Sequence, residues 1–145
     1  MGIRQAKQEE ADALGQLWLE TTIISHAFLP ETYWRQKLPT IKQQYLKVGR
    51  TFVYEENAVI KGFVTFLKPG FIGGLFVVTE NQHKGIGRKL MEYVKKLYPA
   101  LELDVYGKNH RALVFYAKAG FQPVFLRQGK ETGEDSIRMR WERDN

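Results

Sequence analysis

The residues best placed to do chemistry are Gly85 and Gly87, which stand between an apolar run and a helical repeat with Lys84, Arg88 and Lys89 around them. The run Leu75-Phe76-Val77-Val78 has the length and composition of a strand. After the glycines, Ile86, Leu90, Tyr93, Val94 and Leu97 recur at helical spacing. A strand that enters a glycine turn opening a helix aims several orphan N–H groups, and the positive end of the helix dipole, at one spot. Such a spot draws phosphate. Glycines also serve simply to make a tight turn, so the exact pattern has to choose between the two readings. A P-loop closes on Gly-Lys-Ser/Thr, and none is present. A dinucleotide fingerprint wants a third glycine where Leu90 stands, although Asp104 lies near the distance of a ribose-binding acid. The pattern that survives is Gln82-x-x-Gly85-x-Gly87.

The rest of the chain narrows the partner. Its 145 residues carry a net charge of +6. Between Lys84 and Lys118 there are eight Lys/Arg against three Asp/Glu, so the basic excess clusters beside the glycine turn. That placement favours a polyanionic cofactor over nucleic acid, for which no reading motif is evident. The absence of cysteine excludes a disulfide framework, thiol catalysis and thiolate metal sites. Histidines at 26, 83 and 110 are scattered, and no metal is expected. No apolar run approaches the ~20 residues of a membrane span, and no signal-peptide pattern opens the chain. The expectation is one cytoplasmic domain over residues 1–145, with no membrane partner, as a monomer or homodimer.

The elements that must position these residues follow from periodicity and punctuation. A short strand is expected over Gly2 to Lys7, then a helix from Gln8 to about Thr22 with Ala11, Leu14, Leu17 and Trp18 on one face. The loop Ile23 to Leu29 is unusually apolar, which fits either a pocket wall or packing under the next helix. That helix starts at Pro30, is broken or kinked by Pro39, and runs on to Val48. Strands Thr51 to Glu55 and Val59 to Leu67 form a hairpin, and Lys68-Pro69-Gly70 turns into the Leu75 strand. The helix after Gly85 ends near Tyr98-Pro99. Leu101 to Tyr106 is the next strand, parallel to the first across a helical connection. Asn109 caps a further helix that stops at Gly120. Phe121 to Leu126 and Ser136 to Trp141 close the chain as a hairpin.

Gln82-x-x-Gly85-x-Gly87 after Leu-Phe-Val-Val resembles the acetyl-CoA signature of the GNAT N-acetyltransferases. Asn109-x-x-Ala112-x-x-Phe115-Tyr116-x-x-x-Gly120-Phe121 resembles that family's second signature, and the likeness covers essentially the whole chain. The Leu-Trp-Leu-Glu and Ser25-His26-Ala27-Phe28-Leu29 stretches are similar to a branch of small bacterial members. The resemblance implies an α/β (α+β) fold: a mixed, mostly antiparallel sheet of about seven strands with a central splayed parallel pair, flanked by about four helices. It implies acetyl-CoA as cosubstrate, with backbone groups of His83, Lys84, Gly85, Ile86, Gly87 and Arg88 on the pyrophosphate. It implies that Phe76, Val77 and Val78 pair with the pantetheine as an added strand, and that Asn109 reaches the cofactor.

Acetyl transfer sets further demands. An amine of pKa ~10.4 must be deprotonated by a base or a dry pocket before it attacks. The oxyanion needs a donor, for which a strand N–H near Val77 or Val78 is suited. The departing thiolate, from a thiol of pKa ~8.5, needs an acid, and the resemblance puts Tyr116 there. His26 is the candidate base, since a histidine near ~6.5 is neutral at working pH. Glu102, Asp104 and Tyr106 are alternatives through an ordered water. Phe28, Trp34 and Tyr106 are the expected acceptor-pocket residues, with Tyr33 beside them. The acceptor is a primary amine, on a small molecule or on a protein lysine or N-terminus. A module that binds acyl-CoA without transferring it is the alternative.

Overall fold

The computed structural model describes residues 2–46, 50–78 and 84–144. The chain order is β1 (Gly2–Gln5), a 3-10 turn (Gln8–Glu10), α1 (Ala11–Ser25), α2 (Glu31–Thr40), a π-helical turn (Ile41–Tyr45), β2 (Thr51–Glu56), β3 (Val59–Lys68), β4 (Phe71–Val77), α3 (Ile86–Leu97), β5 (Ala100–Tyr106), α4 (His110–Lys118), β6 (Gln122–Arg127) and β7 (Ser136–Glu142). The seven strands make one sheet in the order β1-β2-β3-β4-β5-β7-β6. Every pairing is antiparallel except that of β4 with β5.

Both faces of β2 and β3 are covered, which the pleat makes possible by sending alternate residues to opposite sides. On β2 and β3, Phe52, Tyr54, Val64 and Phe66 join Leu90, Met91 and Val94 of α3 in one core. Their neighbours Val53 and Phe63 join Leu14, Trp18 and Leu19 of α1 and Trp34 of α2 in the other. The helical repeat read on α3 holds at Ile86, Leu90 and Val94, while Leu97 at its end is 44% exposed. Met91, outside that repeat, is fully buried instead.

Several boundaries differ from expectation. α1 continues through the apolar Ile23 and Ile24 to Ser25, so the connection to α2 is only His26 to Pro30. Pro39 sits inside α2 without ending it, and the irregularity follows as the π-helical turn. β4 begins at Phe71 rather than at Leu75: Gly74 pairs with Thr65, and the register skips Gly73 as a bulge within the strand. A Cβ at Gly74 would lie 2.4 Å from the Phe76 ring, so any larger residue there would have to displace that ring.

The parallel pair is short. β4 and β5 are in register only at Phe71 with Glu102 and Ile72 with Leu103, and beyond these the two strands part. A predicted consequence of this layout is that α3 cannot be loosened without loss of the fold. Replacing the fully buried Leu90 by alanine should cost about 3 kcal/mol. Urea unfolding checks this, and a cost below about 1 kcal/mol would contradict it.

Candidate active site

The parting of β4 and β5 opens a cleft of ≈ 1660 Å³. Gly73 to Val77 make one wall, and Asp104, Val105 and Tyr106 the other. At one end stand Lys84, Gly85, Gly87 and Arg88, and along the side lie Asn109, Ala112, Phe115 and Tyr116 of the α4 region. The opposite end is closed by His26, Tyr33, Trp34 and Lys37 and by the turn from Gln128 to Glu134.

The ladder phase decides which β4 amides face the cleft. Val78 N–H donates to Lys61 O at 2.9 Å. In an antiparallel ladder successive residues point their N–H groups to opposite edges. With Phe76 opposite Phe63, the amides of Phe76 and Val78 turn toward β3. Those of Leu75 and Val77 turn toward the gap. Of the expected strand donors Val78 is therefore committed elsewhere, and Leu75, not among the expected residues, faces the cleft. Periodicity in the sequence gives the alternation of β4 but not its phase, which is set by pairing with β3.

At the helix end, Gly85 has φ +84, a left-handed conformation that admits glycine readily and other residues at a cost of ~1–2 kcal/mol. The first helical bond runs from Lys89 N–H to Gly85 O, leaving the amides of Ile86, Gly87 and Arg88 without helical acceptors. Ile86 itself is buried in the core, so only its backbone is available. A Cβ at Gly87 would press on the Phe115 ring at 3.3 Å and touch Leu75 at 3.5 Å. Lys84, Arg88, Arg111 and Lys118 put positive charge on this part of the cleft. Gln82 and His83 lie outside the described residues.

Tyr116 is 8% exposed and lines the cleft, its ring edge-on to Phe115 and Phe121. Burial pushes its phenol well above the ordinary tyrosine range, so it is protonated at neutral pH. Asn109 caps α4, its Oδ1 accepting from Ala112 N–H at 3.3 Å.

At the far end His26 meets Trp34, Phe28 and Tyr106 at ring-centroid distances of 5.4, 5.6 and 5.6 Å. Trp34 Nε1–H donates to His26 O. Trp34 and Tyr106 line the cleft, whereas Phe28 packs behind them against Tyr106 and His26. Burial lowers the His26 pKa to about 4, against a smaller opposing pull from the Thr22 backbone. The imidazole is neutral at pH 7. Its Nε2 lies 3.3 Å from Asn109 Nδ2, and its Nδ1 2.7 Å from Ser25 Oγ.

Of the alternative bases, the two acids are held in ion pairs. Asp104 is held by Arg138 at 2.6 Å and Arg127 at 2.7 Å, and Glu102 by Arg140 at 3.1 Å. Lys37 and Glu131, which carry no signal in the sequence, bridge α2 to the β6–β7 turn at 2.6 Å. Among the described residues no group of three or more His, Asp or Glu is arranged to hold a metal ion, and no helix is long and apolar enough to cross a membrane.

Residues 47–123 match the acetyltransferase (GNAT) domain family. The chain is 37% identical over 139 residues to the peptidyl-lysine N-acetyltransferase YiaC of Escherichia coli (strain K12), covering 96% of this chain and 95% of that protein. It is 28% identical over 123 residues to the peptidyl-lysine N-acetyltransferase YjaB of the same organism, covering 84% and 82%. In three dimensions it resembles the apo form of Escherichia coli YjaB, with a TM-score of 0.83, 21% identity, and 99% and 98% of the two chains covered. It also resembles the PaiA N-acetyltransferase of Thermoplasma acidophilum solved with coenzyme A, with a TM-score of 0.79, 17% identity, and 97% and 98% covered. The seven-stranded mixed sheet, its single parallel pair and these likenesses agree: the chain belongs to the GNAT acetyltransferase family and is an N-acetyltransferase.

Proposed function

We propose that the protein transfers acetyl from acetyl-CoA to the side-chain amine of lysine in protein substrates. The observation that carries this reading is the gap between β4 and β5, which has an anion-attracting helix N-terminus at one end and a buried phenol in its wall. The pyrophosphate lies on the amides of Ile86, Gly87 and Arg88, with Lys84 and Arg88 adding charge. The pantetheine runs along β4 as an extended strand, facing the Leu75 and Val77 backbone. Lysine is favoured as acceptor by the 37% identity to a peptidyl-lysine N-acetyltransferase over nearly all of both chains.

The amine enters at the end lined by Trp34, Tyr33 and Tyr106. Burial among these rings disfavours the ammonium form, so the proton leaves to solvent as the lysine docks. The amine nitrogen then attacks the thioester carbonyl carbon, and the developing oxyanion lies against the β4 edge. As the tetrahedral intermediate collapses, the carbon–sulfur bond breaks. As the amide forms the nitrogen sheds its extra proton to water, while Tyr116 gives its phenolic proton to the thiolate and is reprotonated from water. One proton thus leaves the nitrogen for each one the sulfur gains.

Two outcomes check this reading. Tyr116→Phe should lower kcat about a hundredfold while coenzyme A still binds, and unchanged turnover on an acetyl-CoA and lysine-peptide assay would remove the acid role. Acetyl-CoA at ~100 times its dissociation constant should stabilise the native chain by ~2.7 kcal/mol in a thermal-shift assay, where NAD gives nothing. Gly87→Glu, which crowds Phe115 and puts a carboxylate at the phosphate end, should abolish that shift. A shift that persists in the variant would place the cofactor elsewhere.

A further inference from the structure

His26 and Asn109 are 83 residues apart in sequence and meet across the cleft, one from the connection after α1 and the other from the cap of α4. The orientation of this contact can be worked out from its neighbours. Asn109 Oδ1 is the atom that accepts from Ala112 N–H, so the group turned to His26 is the amide NH₂, a donor. A neutral imidazole facing a donor through Nε2 must accept there and carry its proton on Nδ1. Ser25 Oγ at 2.7 Å is the acceptor for that proton. Every polar atom in the chain Ser25–His26–Asn109–Ala112 thus has a role that its neighbour requires.

The same arrangement argues against His26 as the base expected from its residue type. The nitrogen that faces Asn109 has its lone pair engaged, and the other nitrogen holds the proton. The ring is also clamped, by Trp34 Nε1–H on the His26 carbonyl and by the rings of Trp34, Phe28 and Tyr106. What such a rigid acceptor does well is hold the Asn109 amide in one orientation. Asn109 lines the cleft, and its second amide N–H is not used by His26.

We infer that His26 is a positioning residue that fixes the Asn109 side chain for the cofactor and so links the acceptor end of the cleft to cofactor affinity. This rests on the reading of the cleft as a coenzyme A site. The link is specific: it predicts that a change on the acceptor-side connection alters coenzyme A binding, which a residue acting only on the amine would leave alone.

The test is coenzyme A titration calorimetry on the wild type and on His26→Gln, His26→Asn, Asn109→Ala and the His26→Asn/Asn109→Ala double variant, with melting temperatures and kcat alongside. Glutamine places an acceptor oxygen near the Nε2 position, whereas asparagine is too short to reach Asn109. His26→Asn should weaken coenzyme A binding about threefold to tenfold, the worth of one neutral hydrogen bond, and His26→Gln should recover most of the loss. The double variant should bind no worse than Asn109→Ala alone. Its kcat should fall only a few-fold in His26→Gln, against the ~10²-fold or greater loss expected of a missing base. Equal affinity in all His26 variants, or losses that multiply in the double variant, would overturn the inference. So would a kcat loss of that size in His26→Gln at unchanged coenzyme A affinity. A wild type that does not bind coenzyme A would instead remove the cofactor reading on which the inference stands.

Discussion

Two paired positions hold β4 to β5, and the cleft depends on the pairing stopping there. A parallel pair continued to its end would satisfy its own amides and leave no cleft. Here the strands carry on without each other, each still anchored on its outer side, β4 by β3 and β5 by β7. Backbone groups on an edge that the neighbouring strand has left need other partners, since buried amides do not stay unpaired. An extended chain with amides of its own is the partner whose shape fits such an edge.

The charge pattern follows from the same opening. The arginines of β7 lie beside the acids of β5, so Glu102 and Asp104 are neutralised within the sheet and do not oppose an anion in the cleft. Lys84, Arg88 and Lys118 leave basic side chains in the cleft lining, with Glu92 3.9 Å from Arg88. At the other end the lining is aromatic and the ion pairs Lys37–Glu131 and Lys108–Glu134 tie the β6–β7 turn to its surroundings. One end of the cleft suits phosphate, and the other suits an amine that must shed its proton.

How much of this was legible in the sequence depended on how local the cause was. Gly85-x-Gly87, the Asn109 cap and the stop at Gly120 act within a few residues, and the structure has them where the pattern put them. The beginning of β4 was hidden because a glycine pair at a bulge looks, one strand at a time, like a break. The direction of the Val78 amide depends on register with β3, and register is a property of two strands. The arginines on Glu102 and Asp104 come from 23 to 38 residues downstream, and nothing in the alternation of β5 announces them. His26 could be singled out by its residue type, but its role depends on Asn109 and so on the folded chain.

The central claim is that the inner edge of β4 receives an extended ligand. Hydrogen exchange at the Leu75 amide, followed by NMR, tests it most directly. The measurement compares the free protein with samples saturated by coenzyme A and by adenosine 3′,5′-bisphosphate, which lacks the pantetheine arm. The Phe76 amide, turned toward β3, serves as the internal reference. The account predicts that Leu75 exchange slows with coenzyme A and not with the bisphosphate, while Phe76 stays as it was. Equal exchange at Leu75 in all three samples would contradict it, because the cleft would then not be where the cofactor lies.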